Sequence, residues 1–155
     1  MELARNLKVE SVLRLNPTPP VCLPREATAA VAVEVMRRHA IGCVLVTDQG
    51  GALLGIFTER DLLRLVAQGR SLEQPLRGLM TPHPVTVTRT EPIASAVQKM
   101  ERGTFRHLPV IEESGRPVGV LSVKSVVHYL VEHFPSTIYC LPPNPGAVQR
   151  EREGA

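Results

Sequence analysis

The sequence predicts an α+β fold: two β-α-β-β-α repeats packed sheet to sheet with pseudo-two-fold symmetry. Three observations predict it. Sliding the chain by 64 residues lays its second half on its first without a gap. Each half alternates extended and helical patterns in the same order. A unit of about 50 residues with one three-stranded sheet is too small to bury its own core, so two must share one.

Identities carry the register: Pro20 with Pro84, Val21 with Val85, Arg25 with Arg89, Ala32 with Ala96, and Met36 with Met100. Val46 then matches Val110, Gly51 matches Gly115 and Gly55 matches Gly119. Between them Asp48 faces Glu112, Thr58 faces Ser122 and Arg60 faces Lys124.

In chain order, short extended runs at Val21–Leu23 and Val85–Val87 lead into helices. The first opens at Thr28, with Ala29, Ala32, Val33 and Met36 on one face. The second opens at Thr90 with Pro92 in its first turn and closes at Gly103. Strands follow at Cys43–Thr47 and Leu53–Phe57 around the turn ending in Gly51, and at His107–Ile111 and Pro117–Leu121 around the turn ending in Gly115. Helices at Glu59–Ala67 and Val123–Phe134 complete the repeats, the latter stopped by Pro135. In the connector 68–83, Leu76, Leu79 and Met80 predict a short helix ended by Thr81-Pro82. Residues 1–70 thus form the first repeat with a lead-in helix, 71–134 the connector and second repeat, and 135–155 a Pro-rich, charged tail.

Composition narrows the function. Aromatic residues make up 3% and Trp is absent, so the core is aliphatic and the stacking platforms of single-strand nucleic-acid binding are missing. A net charge of +3 sets a mild preference for anions. Three scattered cysteines and no apolar leader after Met1 predict a reducing, cytoplasmic setting without disulfides. No apolar run approaches the about 20 residues of a membrane span. No phosphate-binding glycine loop, dinucleotide fingerprint or zinc-protease motif occurs, which predicts a protein without catalysis of its own. His128 and His133 do not share a helix face well enough to hold zinc, so no metal is expected.

One motif carries chemistry. Thr58-x-x-Asp61 stands where a strand gives way to a helix, and two readings stand. It is an N-cap in which hydroxyl and carboxylate satisfy early backbone N–H groups, or it turns both toward a ligand. The roles are compatible.

With Val85-Thr86-Val87, Arg106-His107-Leu108-Pro109-Val110-Ile111, Gly119-Val120-Leu121-Ser122 and Gly55-Ile56-Phe57-Thr58-Glu59-Arg60-Asp61, residues 8–134 resemble a pair of CBS domains, named for cystathionine β-synthase. The resemblance implies a stand-alone regulatory module with two clefts between the repeats and a disc-like homodimer. It implies an adenine nucleotide (AMP, ADP or ATP) as ligand, S-adenosylmethionine fitting less well, and a separate partner protein that senses occupancy. Carried over residue by residue, Asp61 holds the ribose hydroxyls with Thr58, Arg106 and His107 meet the phosphate, and Arg60 adds a basic contact. Pro20, Val21, Ile41, Cys43 and Val120 wall the base. The other cleft keeps Ser122 and Lys124 but has Ser125 where an aspartate would stand. Gly42 and Cys43 there replace the Arg106-His107 pair, so the resemblance implies one competent site per chain. An adaptor without a physiological nucleotide is the alternative; it need not retain Thr58, Asp61, Arg106 and His107.

Overall fold

The computed structural model describes residues 2–138; the proline-rich and charged tail beyond Ile138, with Cys140, lies outside them. Its elements are α1 (Glu2–Val9), β1 (Cys22–Pro24), α2 (Ala29–His39), β2 (Cys43–Thr47), β3 (Leu53–Thr58), α3 (Glu59–Ala67), β4 (Thr81–Pro82), α4 (Ile93–Gly103), β5 (His107–Ile111), β6 (Pro117–Ser122), α5 (Val123–His133) and α6 (Pro135–Ile138). The α+β tandem architecture is as predicted.

Local chemistry places the boundaries. Thr58 caps α3, Ser122 caps α5 and Thr28 caps α2, each through a side-chain oxygen accepting a first-turn N–H. At α4 the cap is Pro92, not Thr90; Glu91 instead accepts from Thr88 N at 2.7 Å and pairs with Lys99 at 2.6 Å. Pro135 stops α5 by opening the short helix α6, whose first turn needs no N–H from it. Both hairpins turn through a positive-φ glycine, Gly51 at +86° and Gly115 at +82°.

In the first sheet β1 pairs parallel to β2, and β3 lies antiparallel between β2 and β4. The second has the β5–β6 hairpin, with its predicted lead-in strand reduced to a parallel bridge from Val87 to Val110. Strand β2 is buried on both faces. Val44 and Val46 pack with Ala32, Met36 and Leu65, while Cys43 and Leu45, with Ile56 of the same sheet, meet Val120 of the facing sheet.

The lead-in segments are exchanged between the repeats. The connector predicted to end a helix at Thr81-Pro82 instead makes a short 3-10 turn at Leu76–Gly78 and then forms β4 on β3, with Ile56 opposite Thr81 and Gly55 opposite Pro82. The chain before the first repeat does the same to the second, Thr18 bridging Val120 and Ser11 bridging Pro92. The two matched glycines make room for these crossings. A Cβ at Gly55 would stand 2.8 Å from the Thr81 carbonyl, and one at Gly119 would stand 2.8 Å from Pro17 Cβ. Helix α1 and the 3-10 turn after it follow the same route: Leu3 and Leu7, then Val12 and Leu15, join the core of Val87, Ile93, Leu108, Leu121 and Tyr129 in the second repeat.

Candidate functional site

Exchange of the lead-ins builds two clefts. Each lies between the strand-to-helix cap of one repeat and the lead-in of the other. The first, about 430 Å³, is lined by Thr58, Arg60 and Asp61 at the start of α3. Thr81, His83, Pro84 and Val85, entering the second repeat, face them, with Ile56 and Phe105 as further walls. The other, about 1360 Å³, is lined by Ser122, Lys124 and Ser125 at the start of α5 and by Thr18, Pro19 and Val21 entering the first repeat.

In the first cleft the cap is complete. Asp61 Oδ2 accepts from Thr58 N at 2.9 Å and from Thr58 Oγ1 at 3.0 Å, while Thr58 Oγ1 accepts from Asp61 N at 3.3 Å. Asp61 is the one buried charged residue among those described, 7% exposed, and its Oδ1 lies 3.5 Å from Arg64 Nη1. Arg60 Nη1 donates to the Thr104 carbonyl at 3.3 Å, tying the start of α3 to the end of α4. In the second cleft Ser122 and Ser125 repeat the cap in neutral form: Oγ to Oγ is 3.2 Å, and Ser122 Oγ accepts from Ser125 N at 3.3 Å.

Four residues, Gly42, Glu59, Arg106 and His107, line both clefts and form the wall between them. The imidazole of His107 packs on Gly42. Burial pushes its pKa below the usual value, Glu59 opposes that, and Arg106 and Lys124 add to the lowering. Burial, followed by the charge of Glu59, pushes the Cys43 thiol up to about 12, which suits a small core side chain and not a nucleophile. His133 stacks on Tyr129 and its Nδ1 lies 3.0 Å from the Tyr129 carbonyl, while His128 faces Glu132 at 3.2 Å.

The expected site residues divide. Thr58, Arg60, Asp61, Arg106 and His107 come together in the first cleft, whereas Val21, Ile41, Cys43 and Val120 line the second and Pro20 lines neither. The two sets thus lie in different clefts, and the apolar residues that line the Asp61 cleft are Pro84, Val85, Phe105 and Ile56. These are the earlier residues moved by 64 positions, Pro20 to Pro84, Val21 to Val85, Ile41 to Phe105 and Val120 to Ile56. The physical reason is the lead-in exchange, and the repeat register was the signal that located them. The second cleft is also less bare than expected, because Arg106 and His107 reach it along with Arg37 and Lys124. It lacks the carboxylate at position 125.

A family model of the CBS domain matches residues 9–68 and again 76–132. The chain belongs to the CBS domain family. Among curated CBS relatives, the mitochondrial CBS domain-containing protein CBSX3 of Arabidopsis thaliana is 39% identical over 109 residues, 66% of this chain and 52% of that one. An uncharacterized 17.7 kDa protein of Acidianus ambivalens is 31% identical over 105 residues, 68% of this chain and 63% of its own. The chain therefore spans less than two thirds of either relative. The CBS domain protein PAE2072 from Pyrobaculum aerophilum, solved complexed with AMP, superposes with a TM-score of 0.71 at 32% identity, covering 75% of this chain and 89% of that one. Among the described residues no helix is long and apolar enough to cross a membrane.

Proposed function

We propose that this CBS pair binds an adenine nucleotide in the Asp61 cleft and acts as a regulatory module for a separate protein. The observation carrying the reading is Asp61: a buried carboxylate whose Oδ2 serves the helix cap while Oδ1 meets only the exposed Arg64 guanidinium. A vicinal ribose diol is the ligand group that matches one carboxylate oxygen, each charge-assisted bond contributing about 1.5–3 kcal/mol before desolvation. Pro84, Val85, Ile56 and Phe105 offer the base apolar walls, and Arg60, Arg106 and His107 offer the phosphate cations. These cations favour a phosphate over a sulfonium at the 5′ end. The AMP held by the 32%-identical relative supports the same ligand class.

The working form is a homodimer. Leu63, Val66 and Val127 stand 69%, 62% and 50% exposed on α3 and α5, an apolar face that water disfavours and a second chain would cover. Nucleotide signals to a partner only through different affinity for two arrangements of this assembly. Thermal unfolding tests the ligand: AMP at about 100 times its Kd raises stability by about 2.7 kcal/mol. An unchanged melting temperature with AMP, ADP and ATP would leave the adaptor reading standing.

A further inference from the structure

The wall between the clefts follows the repeat symmetry except for one charge. Glu59 N donates to the Gly42 carbonyl at 3.1 Å, and at the matched positions Val123 N donates to the Arg106 carbonyl at 3.0 Å. Each bond ties the first residue of a helix to the residue before a strand, so the first tie holds a carboxylate at the wall and the second only a valine. Gly42 has no side chain, and two groups close on the space beside it. A Cβ there would stand 3.0 Å from His107 Nε2 and 3.4 Å from Glu59 Oε2. Glu59 is the one carboxylate among the residues lining the second cleft, and it makes no ion pair among the described residues. Arg37 and Lys124 line that cleft behind it, and the charges of Glu59 and Lys124 both bear on His107.

We propose that Glu59 is a charge gate that restricts the Asp61 cleft to a nucleoside monophosphate. The proposal rests on the nucleotide reading above and names the member of that ligand class. With the ribose on Asp61, Arg106 and His107 draw the first phosphate to the wall. Further phosphates then have two directions. Outward they reach water, where pairing is screened and contributes little. Through the wall they would gain Arg37 and Lys124, but only by passing the Glu59 carboxylate, which repels them. AMP needs neither direction. Discrimination thus comes from a repulsive group set against the longer ligand, not from a better contact to the shorter one. A carboxylate at the start of α3 also complements the helix dipole. That role bears equally on both nucleotides and does not set their ratio.

Calorimetric titration of the full chain with AMP and with magnesium-free ATP reads that ratio in the parent and in Glu59→Gln. The parent should bind AMP about tenfold or more tightly than ATP. Glu59→Gln should narrow the ratio by about tenfold, chiefly through a gain in ATP affinity, and adding Lys124→Glu should take that gain back. A parent without preference for AMP, or a ratio unchanged in Glu59→Gln, would overturn the gate and leave the Asp61 site standing. An ATP gain that survives Lys124→Glu would overturn the passage through the wall. A parent that binds neither nucleotide would overturn the site reading and the gate with it. Circular dichroism checks that both variants fold.

Discussion

The imidazole of His107 rests on the backbone of Gly42: a methyl group at that glycine would stand 3.0 Å from both Cε1 and Nε2. The contact joins the start of β2 to the start of β5 in the wall between the clefts, so it fixes where the ring presents its nitrogens. Gly42→Ala should push the ring aside and cost AMP about tenfold in affinity, one charge-assisted hydrogen bond, with little change in melting temperature. Calorimetric titration and thermal unfolding of the variant check both halves.

The neutral cap at Ser122 and Ser125 supplies a substitution for the charged one. Asp61→Ser should keep the start of α3 folded in the geometry already realised at α5, with a stability loss within about 0.5–2 kcal/mol. It should abolish the rise in melting temperature that AMP produces. A variant that unfolds at room temperature would show that Asp61 serves the fold before it serves a ligand.

Acid should weaken the ligand-free protein through His107. Burial holds its folded pKa below that of the unfolded chain. Between the two values the unfolded state carries more protons, so stability rises with pH through that window and falls as pH drops below about 6.5. His107→Gln should flatten the part of the melting-temperature slope that lies between pH 7 and pH 5.5. An equally steep slope in the variant would assign the acid sensitivity to other groups.

Phe105 offers a spectroscopic handle, because the chain contains no Trp. Phe105→Trp puts the sole indole on the wall of the Asp61 cleft, and AMP should shift or quench its emission. The added Asp61→Ser change should remove that response.

Much of this fold is legible in the sequence. The strands β2 and β5 and the helix α3 fall on the residues that periodicity and turn glycines assigned, because each is bounded by a local signal: Gly51, Gly115 or the Thr58 cap. The exchange of lead-ins was not legible. Thr81-Pro82 looks like a helix stop, and nothing local reveals that it pairs with a strand more than 20 residues earlier. That single non-local pairing decides which apolar residues share a cleft with Asp61. Thr58, Asp61, Arg106 and His107 therefore line one cleft together, while the apolar residues expected beside them line the other, one repeat away. Gly55 and Gly119 held the clue, since a glycine inside a strand marks a close backbone approach.

In the proposed function one carboxylate, Asp61, makes one nucleotide site per chain. Titration calorimetry with AMP tests it most directly. Although Arg106 and His107 border both clefts, only the first has a carboxylate at its cap for the ribose diol. The second site should therefore be weaker by two charge-assisted bonds, a factor on the order of a hundred or more. One tight AMP per chain is expected, and none in Asp61→Ser. Two equally tight sites per chain, or a tight site that survives Asp61→Ser, would contradict it.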